Sequence, residues 1–552
     1  MCPFCKVRKT NTKVKKIRII ILIIKNRTMK TRLLLISIVA LIFVLPSAKA
    51  QHAGDLYTGF NETGYYMQDF YANTDVINDI ALQDDNKVVA VGVSFTAAWN
   101  VEVNIIRVTP QGDPDVDFGS NGVVNYAPSV SGYYEAHAMA VCVKDDGKIL
   151  VAGGVLNESF QFDFLLIQLN PDGSFDADFG TNGISIVSVN QFGTLAEDIV
   201  IDGDGKILLA GMVGNADFMN TPAVVRINAG GSLDETFGNM GVAQLPVVGS
   251  DNEFSSICLQ PDGKILSSGH ISVEVEPGVY RFAALVARFN PDGTLDDTFG
   301  TDGTVVHNQN DLDDEFFGMD LNADGDIICG GFTNVMWESF DMFLMKFDVN
   351  GNSVADFGEN GIVTLYKEPY NVINDLVVQS DGKILVAGSI GDFAPGNNDF
   401  ALVRFLENGA LDGSFGAGGV VTNDFFGEQD EANALILDGN DRIYLGGKSL
   451  NSTGTVRDFT IACYVNDIST SVAPSPDLQK VFTYPNPVSD YLNIDNCLGS
   501  QICVYSTDGR LHYSAVINRD HFQIDVSDLP EGVYAVVVTG DAGTTSTKVV
   551  VD

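Results

Sequence analysis

"NPDGTLDDTFGTDG" occupies residues 290–303, and nearly the same words recur at 170–183 as "NPDGSFDADFGTNG". An eroded copy, "ENGALDGSFGAGG", stands at 407–419. Anchored on Phe-Gly, the phrase falls at Phe118, Phe179, Phe237, Phe299, Phe357 and Phe415, a beat of about 60 residues that marks a repeat architecture. A second phrase, "DGKILVAG", keeps the same beat around Lys148, Lys206, Lys264 and Lys383, with altered forms at Lys87, Asp326 and Arg442.

Each unit parses into four strands. In the unit around Lys383, "NDLVVQ" is the first strand and "SDG" a tight turn in which Gly382 supplies a positive φ. "KILVAGS" is the second strand; a variable loop leads to "DFALVRF", the third. The Phe-Gly phrase makes the next turn, with Asp and Asn bonding their own backbone, and "GVVTN" is the fourth strand. The second strand is apolar at successive positions, as expected where units stack and cover both faces of the sheet. The last unit, 433–466, stops before its Phe-Gly phrase. The missing phrase is "AGDLYTGFNETGYYM" at 53–67, where Phe60 lies one repeat before Phe118. An N-terminal strand paired with the last three closes a ring and removes open edges. The expectation is an all-β chain: a seven-bladed β-propeller of four-stranded blades over 51–467. An open array of six and a half units is the alternative.

These units resemble the delta-60 family of propeller repeats; "LQPDGKIL…LVARFNPDGTLDDTFGTDG" (259–303) is the nearest copy. Asp326 replaces the usual Lys, and Asn86 the usual turn glycine. The resemblance implies a scaffold and no particular activity.

After a Pro/Ser linker at 468–479 the beat stops, and residues 480–552 read as a small β-sandwich of short strands. Tyr484-Pro485-Asn486-Pro487, the turn Asp508-Gly509-Arg510, "LPEGVY" with Leu529, Gly532 and Tyr534, and Lys548 before the terminal valines come in order. Together they resemble the type A sorting domain of the type IX secretion system. The resemblance implies a Bacteroidetes-type Gram-negative source, export read by the type IX machinery, and cleavage by its sorting peptidase. The cargo is then released or fixed at the cell surface. At the other end, "MKTRLLLISIVALIFVLPSAKA" (29–50) has a basic start, an apolar stretch and a small-residue terminus, the build of a secretory signal peptide. Residues 1–28 read as a mis-started extension, and no apolar run is long enough for a membrane span in the mature chain.

The formal charge is −40, but residues 1–50 hold 12 Lys/Arg and no acid, so the remainder carries 20 basic against 72 acidic side chains. Such a surface repels phosphate backbones and argues against nucleic acid. Cys142, Cys258, Cys329 and Cys463 sit in apolar runs and read as small buried hydrophobes, while Cys497 and Cys503 flank a hairpin that one disulfide can bridge. HExxH, G-x-S-x-G and paired CxxC motifs are missing, and "LGGKS" (445–449) lacks the first glycine of a phosphate loop. His137 and His270 read as isolated histidines near strand ends. No catalytic residue and no cofactor is assigned; calcium is the one ion the Asp-rich turns suggest. The loops between second and third strands carry Trp99, Phe160, Phe218, Tyr280, Trp337 and Phe393. These aromatics either pack the loops onto the blades or form a binding face. Three functions follow: a secreted or surface scaffold that binds an extracellular polymer or protein, a polysaccharide hydrolase or lyase, or a calcium-dependent adhesin.

Overall fold

In a computed structural model the described residues are 51–552, apart from 129–131, 218, 247–248, 250, 309–310, 335–338, 393–396, 428, 440–441, 467–481, 485–486, 496–500, 507–509, 518–520, 528, 531, 541–542 and 552. The leader and the linker therefore lie outside them. Every named element is a β-strand.

The repeats fold as four-stranded antiparallel meanders whose first strands are Asp75–Leu82, Tyr133–Val143, Thr194–Ile201, Glu253–Leu259, Asp314–Leu321, Tyr370–Val378 and Glu431–Leu437. Each is followed in chain order by its hydrogen-bonded partners. One parallel bridge, Phe340 to Tyr370, joins two successive sheets. The sheet begun by Glu431–Leu437 has only three strands of its own; its fourth is Tyr65–Gln68, paired antiparallel with Phe459–Ala462. First strands pack on one another in sequence, and the last packs on the first. Second strands are buried on both faces, as in Val88–Phe95. Phe60 and the phenylalanines of all six other Phe-Gly phrases are buried between sheets.

Both recurrent phrases now have physical causes. "DGKILVAG" ends in a glycine that faces a bulge in the first strand. At Gly388 an added Cβ would stand 1.9 Å from the Val372 carbonyl oxygen, and Gly92, Gly153, Gly211, Gly269, Gly331 and Gly447 meet the same obstruction. The bulge needs the space. The Phe-Gly phrase is a staple between sheets. Asp296 Oδ2 accepts from Arg288 Nε (2.7 Å) and Lys264 Nζ (2.6 Å), while Oδ1 accepts from the Thr298 N–H and hydroxyl. The Arg288 guanidinium lies 4.6 Å over the Phe299 ring and donates onward to the Val349 carbonyl of the next unit. Gly300 N–H then reaches Asn350 O at 2.8 Å. Arg107, Arg226 and Arg404 repeat the stack on Phe118, Phe237 and Phe415. Burial opposes the Asp296 charge, but the lysine, Thr298 and Arg288 overcome it and hold the carboxyl well below the usual range.

The departures at Asp326 and Asn86 are compensated. Where Asp326 replaces Lys, Lys346 replaces Arg, and the two pair at 3.0 Å with the charges exchanged. Val354 occupies the place of the phrase aspartate. Asn86 takes the left-handed conformation (φ 61°) that glycine holds in other units. Asp296→Ala leaves the buried Arg288 unpaired, so a loss of about 3–5 kcal/mol is expected by urea denaturation. Asp326→Ala, at a more open pair, should lose less.

At the C-terminus, Phe482–Tyr484, Tyr491–Asp495 and His521–Asp525 form one sheet. Leu511–Val516, Gln501–Ser506, Gly532–Gly540 and Gly543–Val551 form another. Leu492, Ile524, Ile502, Val536 and Val549 share one buried cluster. Cys503 is a free thiol, its Sγ 3.4 Å from Ser514 Oγ; Cys497, its expected partner, lies outside the described residues. Cys142, Cys258, Cys329 and Cys463 are free thiols, buried or nearly so.

Candidate functional site

The bulges aim one residue from each first strand at the axis on which these strands converge: Asn78, Met139, Glu197, Ser255, Phe317, Asn374 and Asn433. All are half-buried, and all line one axial cavity of about 310 Å³ with Asp79, Asp198, Glu253 and Asp375. The asparagines lock neighbouring sheets: Asn78 Nδ2 donates to Ala138 O (2.7 Å), Asn374 to Ala432 O (2.9 Å), and Asn433 to Ile77 O (2.8 Å), which joins the last unit to the first.

The aspartates do the same. Asp79 accepts from Ile80 N and, in the next unit, from Val141 N, both at 2.7 Å. Asp375 accepts from Leu376 N and Leu435 N, both at 2.7 Å. Asp198 takes Ile199 N (2.6 Å), Ile257 N (2.8 Å) and Ser256 Oγ (3.1 Å). Burial pushes Asp79 up to about 7, with the charge of Asp198 adding to it, despite these N–H donors. Glu197 rises to about 8 by burial and then by Glu253 and Asp198; burial raises Glu253 to about 7. Glu315, raised by burial to about 8, faces His270 Nδ1 at 3.5 Å, and burial lowers His270 to about 4. His270 sits in mid-strand, because the Ile265–Glu276 hairpin extends beyond it; the expected place near a strand end is corrected. His137 also sits mid-strand, within Tyr133–Val143. The axis is thus lined by a narrow acidic cavity whose carboxyls burial and like charge hold above their ordinary range, and it suits small polar or cationic groups.

This cavity was not assigned from the sequence. The signal is present as "ND[IL]" or "ED[IL]" at 78–80, 197–199 and 374–376, on the repeat beat. In a chain this acidic it does not stand out until the bulges show where it points.

Of the loop aromatics, Trp99, Phe160 and Tyr280 are exposed, at 72%, 78% and 44%. Phe218, Trp337 and Phe393 lie outside the described residues. Trp99 and Phe160 occupy equivalent four-residue turns. Trp99 N–H returns to Thr96 O (2.8 Å) and Phe160 N–H to Asn157 O (2.9 Å). Both hold positive φ, 63° and 57°. Tyr280 instead lies on an extended hairpin, opposite Glu274.

Of the tail motifs, Pro485, Asn486, Asp508 and Gly509 lie outside the described residues. Tyr484 ends the first tail strand, and Pro487 is exposed just beyond it. Arg510 O accepts from Ser506 N at 3.0 Å. Leu529 N–H bonds Val526 O, and Gly532 opens the strand carrying Tyr534. Tyr534 is buried and its hydroxyl donates to Pro530 O at 2.8 Å, closing the "LPEGVY" turn. Lys548 is exposed on the last strand.

Residues 483–552 match the secretion system C-terminal sorting domain. Residues 83–118, 144–179, 203–237, 260–299 and 379–415 match a β-propeller domain of unknown function, DUF5122. No curated protein matches in sequence. Among solved structures, an inactive virginiamycin B lyase from Staphylococcus aureus, with quinupristin, is 11% identical. The match covers 72% of this chain and 98% of that one, with a TM-score of 0.38. PorZ, a surface component of the type IX secretion system of Porphyromonas gingivalis, is 10% identical over 88% and 82% of the two chains, with a TM-score of 0.25. The polysaccharide lyase Uly1 is 12% identical over 77% and 94%, with a TM-score of 0.39. Among the described residues no helix is long and apolar enough to cross a membrane. The sorting domain implies interaction with the secretion machinery and export to the cell surface or beyond. The chain is a β-propeller protein of DUF5122-type repeats that ends in a secretion system sorting domain.

Proposed function

We propose that this chain is a binding scaffold that works outside the cell: a ring of seven four-stranded blades closed by Tyr65–Gln68, entering the export route through the signal peptide at 29–50. The tail sandwich at 480–552 is read by the type IX machinery and removed by its sorting peptidase. The observation that carries the binding role is the pair Trp99 and Phe160. A bulky side chain at positive φ costs about 1–2 kcal/mol, and these two recover little of it by burial: Phe160 is 78% exposed, and Trp99, 72% exposed, keeps one edge contact with Phe95 at 6.5 Å. Strain kept for so little packing in return is a mark of function. In the sequence, Phe218 follows Asn215 by the same three-residue step. Aromatics at successive loop tips suit an extended polymer or a protein surface. The axial aspartates support the scaffold reading, since Asp79, Asp198 and Asp375 spend both carboxylate oxygens on backbone N–H groups.

The test is Trp99→Gly with Phe160→Gly, assayed on immobilised polysaccharides and extracellular matrix proteins. Retention by whichever probe holds the parent protein should fall at least tenfold while the melting temperature holds or rises, because glycine relieves the strain. A variant that melts lower would assign the rings to packing. Degradation of a polysaccharide by the parent protein, abolished by Glu253→Gln, would replace this reading with the enzymatic one.

A further inference from the structure

We propose that Asp69, Asp75 and Asp458 form a site for calcium at the seam where the ring closes. The three carboxylates each bring an oxygen within 4.8 Å of the others. They come from two separate parts of the chain. Asp69 and Asp75 flank the connector that leads from the closing strand into Asp75–Leu82, and Asp458 opens the strand Arg457–Val465 to which the closing strand pairs. Asp75 is fully buried and Asp458 nearly so; Oδ1 of each makes no hydrogen bond of proper geometry, although the Ser94 hydroxyl lies near the Asp75 carboxyl and the Asn451 side chain near that of Asp458. An ionised oxygen left alone in the interior is costly, and a hard divalent cation removes that cost.

The other oxygens hold the frame. Asp75 Oδ2 accepts from Phe70 N (3.0 Å) and Asp69 Oδ1 from Ala72 N (2.7 Å), so the connector is already folded around the carboxylates. Three carboxylates supply three to six of the six to eight oxygens calcium takes, and Asp69 is exposed, so water can complete the set. The phrase aspartates Asp115, Asp176, Asp234 and Asp296 pair with lysine or arginine, while Arg457 beside Asp458 donates to Gln429 Oε1. The Asp-rich turns are therefore ion-paired to the protein's own cations, and the site lies on a connector instead.

An equivalent trio, Asp399, Asp424 and Asp430, occurs one unit earlier. There both Asp430 oxygens are engaged, by Phe425 N (2.8 Å) and Leu450 N (3.0 Å). The proposal concerns the seam trio alone, and the earlier trio serves as its internal control. A cation at the seam would tie the closing connector to the last unit in a calcium-containing medium.

The experiment uses the purified full chain, stripped with chelator and titrated with calcium chloride or magnesium chloride by calorimetry and thermal melting. Calcium should bind with a Kd on the order of 10⁻⁴–10⁻³ M, the range of extracellular modules, and raise the melting temperature; magnesium should bind more weakly. Asp69→Asn removes one charge at an exposed position and should weaken calcium binding about tenfold or more. Asp458→Asn should do the same, and Asp424→Asn should leave it unchanged. If Asp458→Asn fails to fold, Asp69→Asn against Asp424→Asn still decides. Absence of calcium binding by the parent protein at millimolar concentration overturns the proposal. So does binding that Asp69→Asn leaves intact, or that Asp424→Asn alone abolishes.

Discussion

Deletion of residues 52–68 is expected to make the chain aggregate. The deleted segment supplies the fourth strand of a sheet that otherwise ends at Arg457–Val465. Its loss uncovers Phe459, Ile461 and Cys463 beside a row of unpaired backbone groups, an edge of the kind that recruits other chains. More than the strand is lost. Gly54 N–H donates to Val465 O and Tyr57 N–H to Cys463 O, both at 2.7 Å, while Ala53 O receives Gly416 N–H from the preceding unit at 2.9 Å. Phe60 leaves a buried edge-to-face contact with Tyr444 at 5.8 Å. Phe60→Ala alone should cost about 3–5 kcal/mol, the range for large aromatic truncations, and the deletion more. Light scattering on size-exclusion fractions, with a urea melt of whatever stays monomeric, gives the outcome. A monomeric deletion protein of parental stability would mean that the ring does not depend on this strand.

The closing strand was legible before any coordinates, because a repeat cut at one end leaves its remainder at the other. Phe60 falls on the beat set by Phe118 and Phe179. The four-strand parse was legible for the same reason: turn glycines and apolar runs recur in register, and errors in one unit are corrected by the others. Two things were not. The inner-strand bulge changes no local propensity. Its trace in the sequence is the glycine ending "DGKILVAG", which reads equally well as a strand end until Gly388 is seen against the Val372 carbonyl. The exchange of Asp326 and Lys346 was also hidden, since its two members lie on different strands and each alone looks like decay of the motif. The axial carboxylates were invisible for a third reason. Their environment raises Glu197 and Glu253, and environment is a property of the folded repeats. The loop aromatics were named as candidates, but the positive φ of Trp99 and Phe160 is backbone information that residue identity hides; large side chains argue against it.

Truncation after Asn466 is expected to abolish export while leaving the repeats folded. The cut falls where it does because of Arg404. This guanidinium is fully buried, pairs with Asp412 at 2.9 Å, stacks on Phe415, and donates to Asn466 Oδ1 at 2.8 Å. Asn466 thus replaces the next unit's carbonyl that receives Arg226 and Arg288. A chain that keeps Asn466 keeps every partner of Arg404 named here. A chain cut one residue earlier loses the Asn466 oxygens that Arg404 bonds, at about 1–3 kcal/mol, and should melt lower. The pair of truncations separates folding from sorting. The longer one should match the parent in protease resistance yet be retained inside the outer membrane, because residues 483–552 match a sorting domain. The match itself does not require the tail to stabilise the repeats, and the tail has its own buried cluster around Ile502, Val536 and Val549. Cell fractionation with antibody to the repeats reads the result. Truncated chain reaching the surface or the medium at parental levels would remove the sorting role from the tail. Degradation of the longer truncation would instead make residues 467–552 a structural part of the repeats, and the domain boundary would have to move.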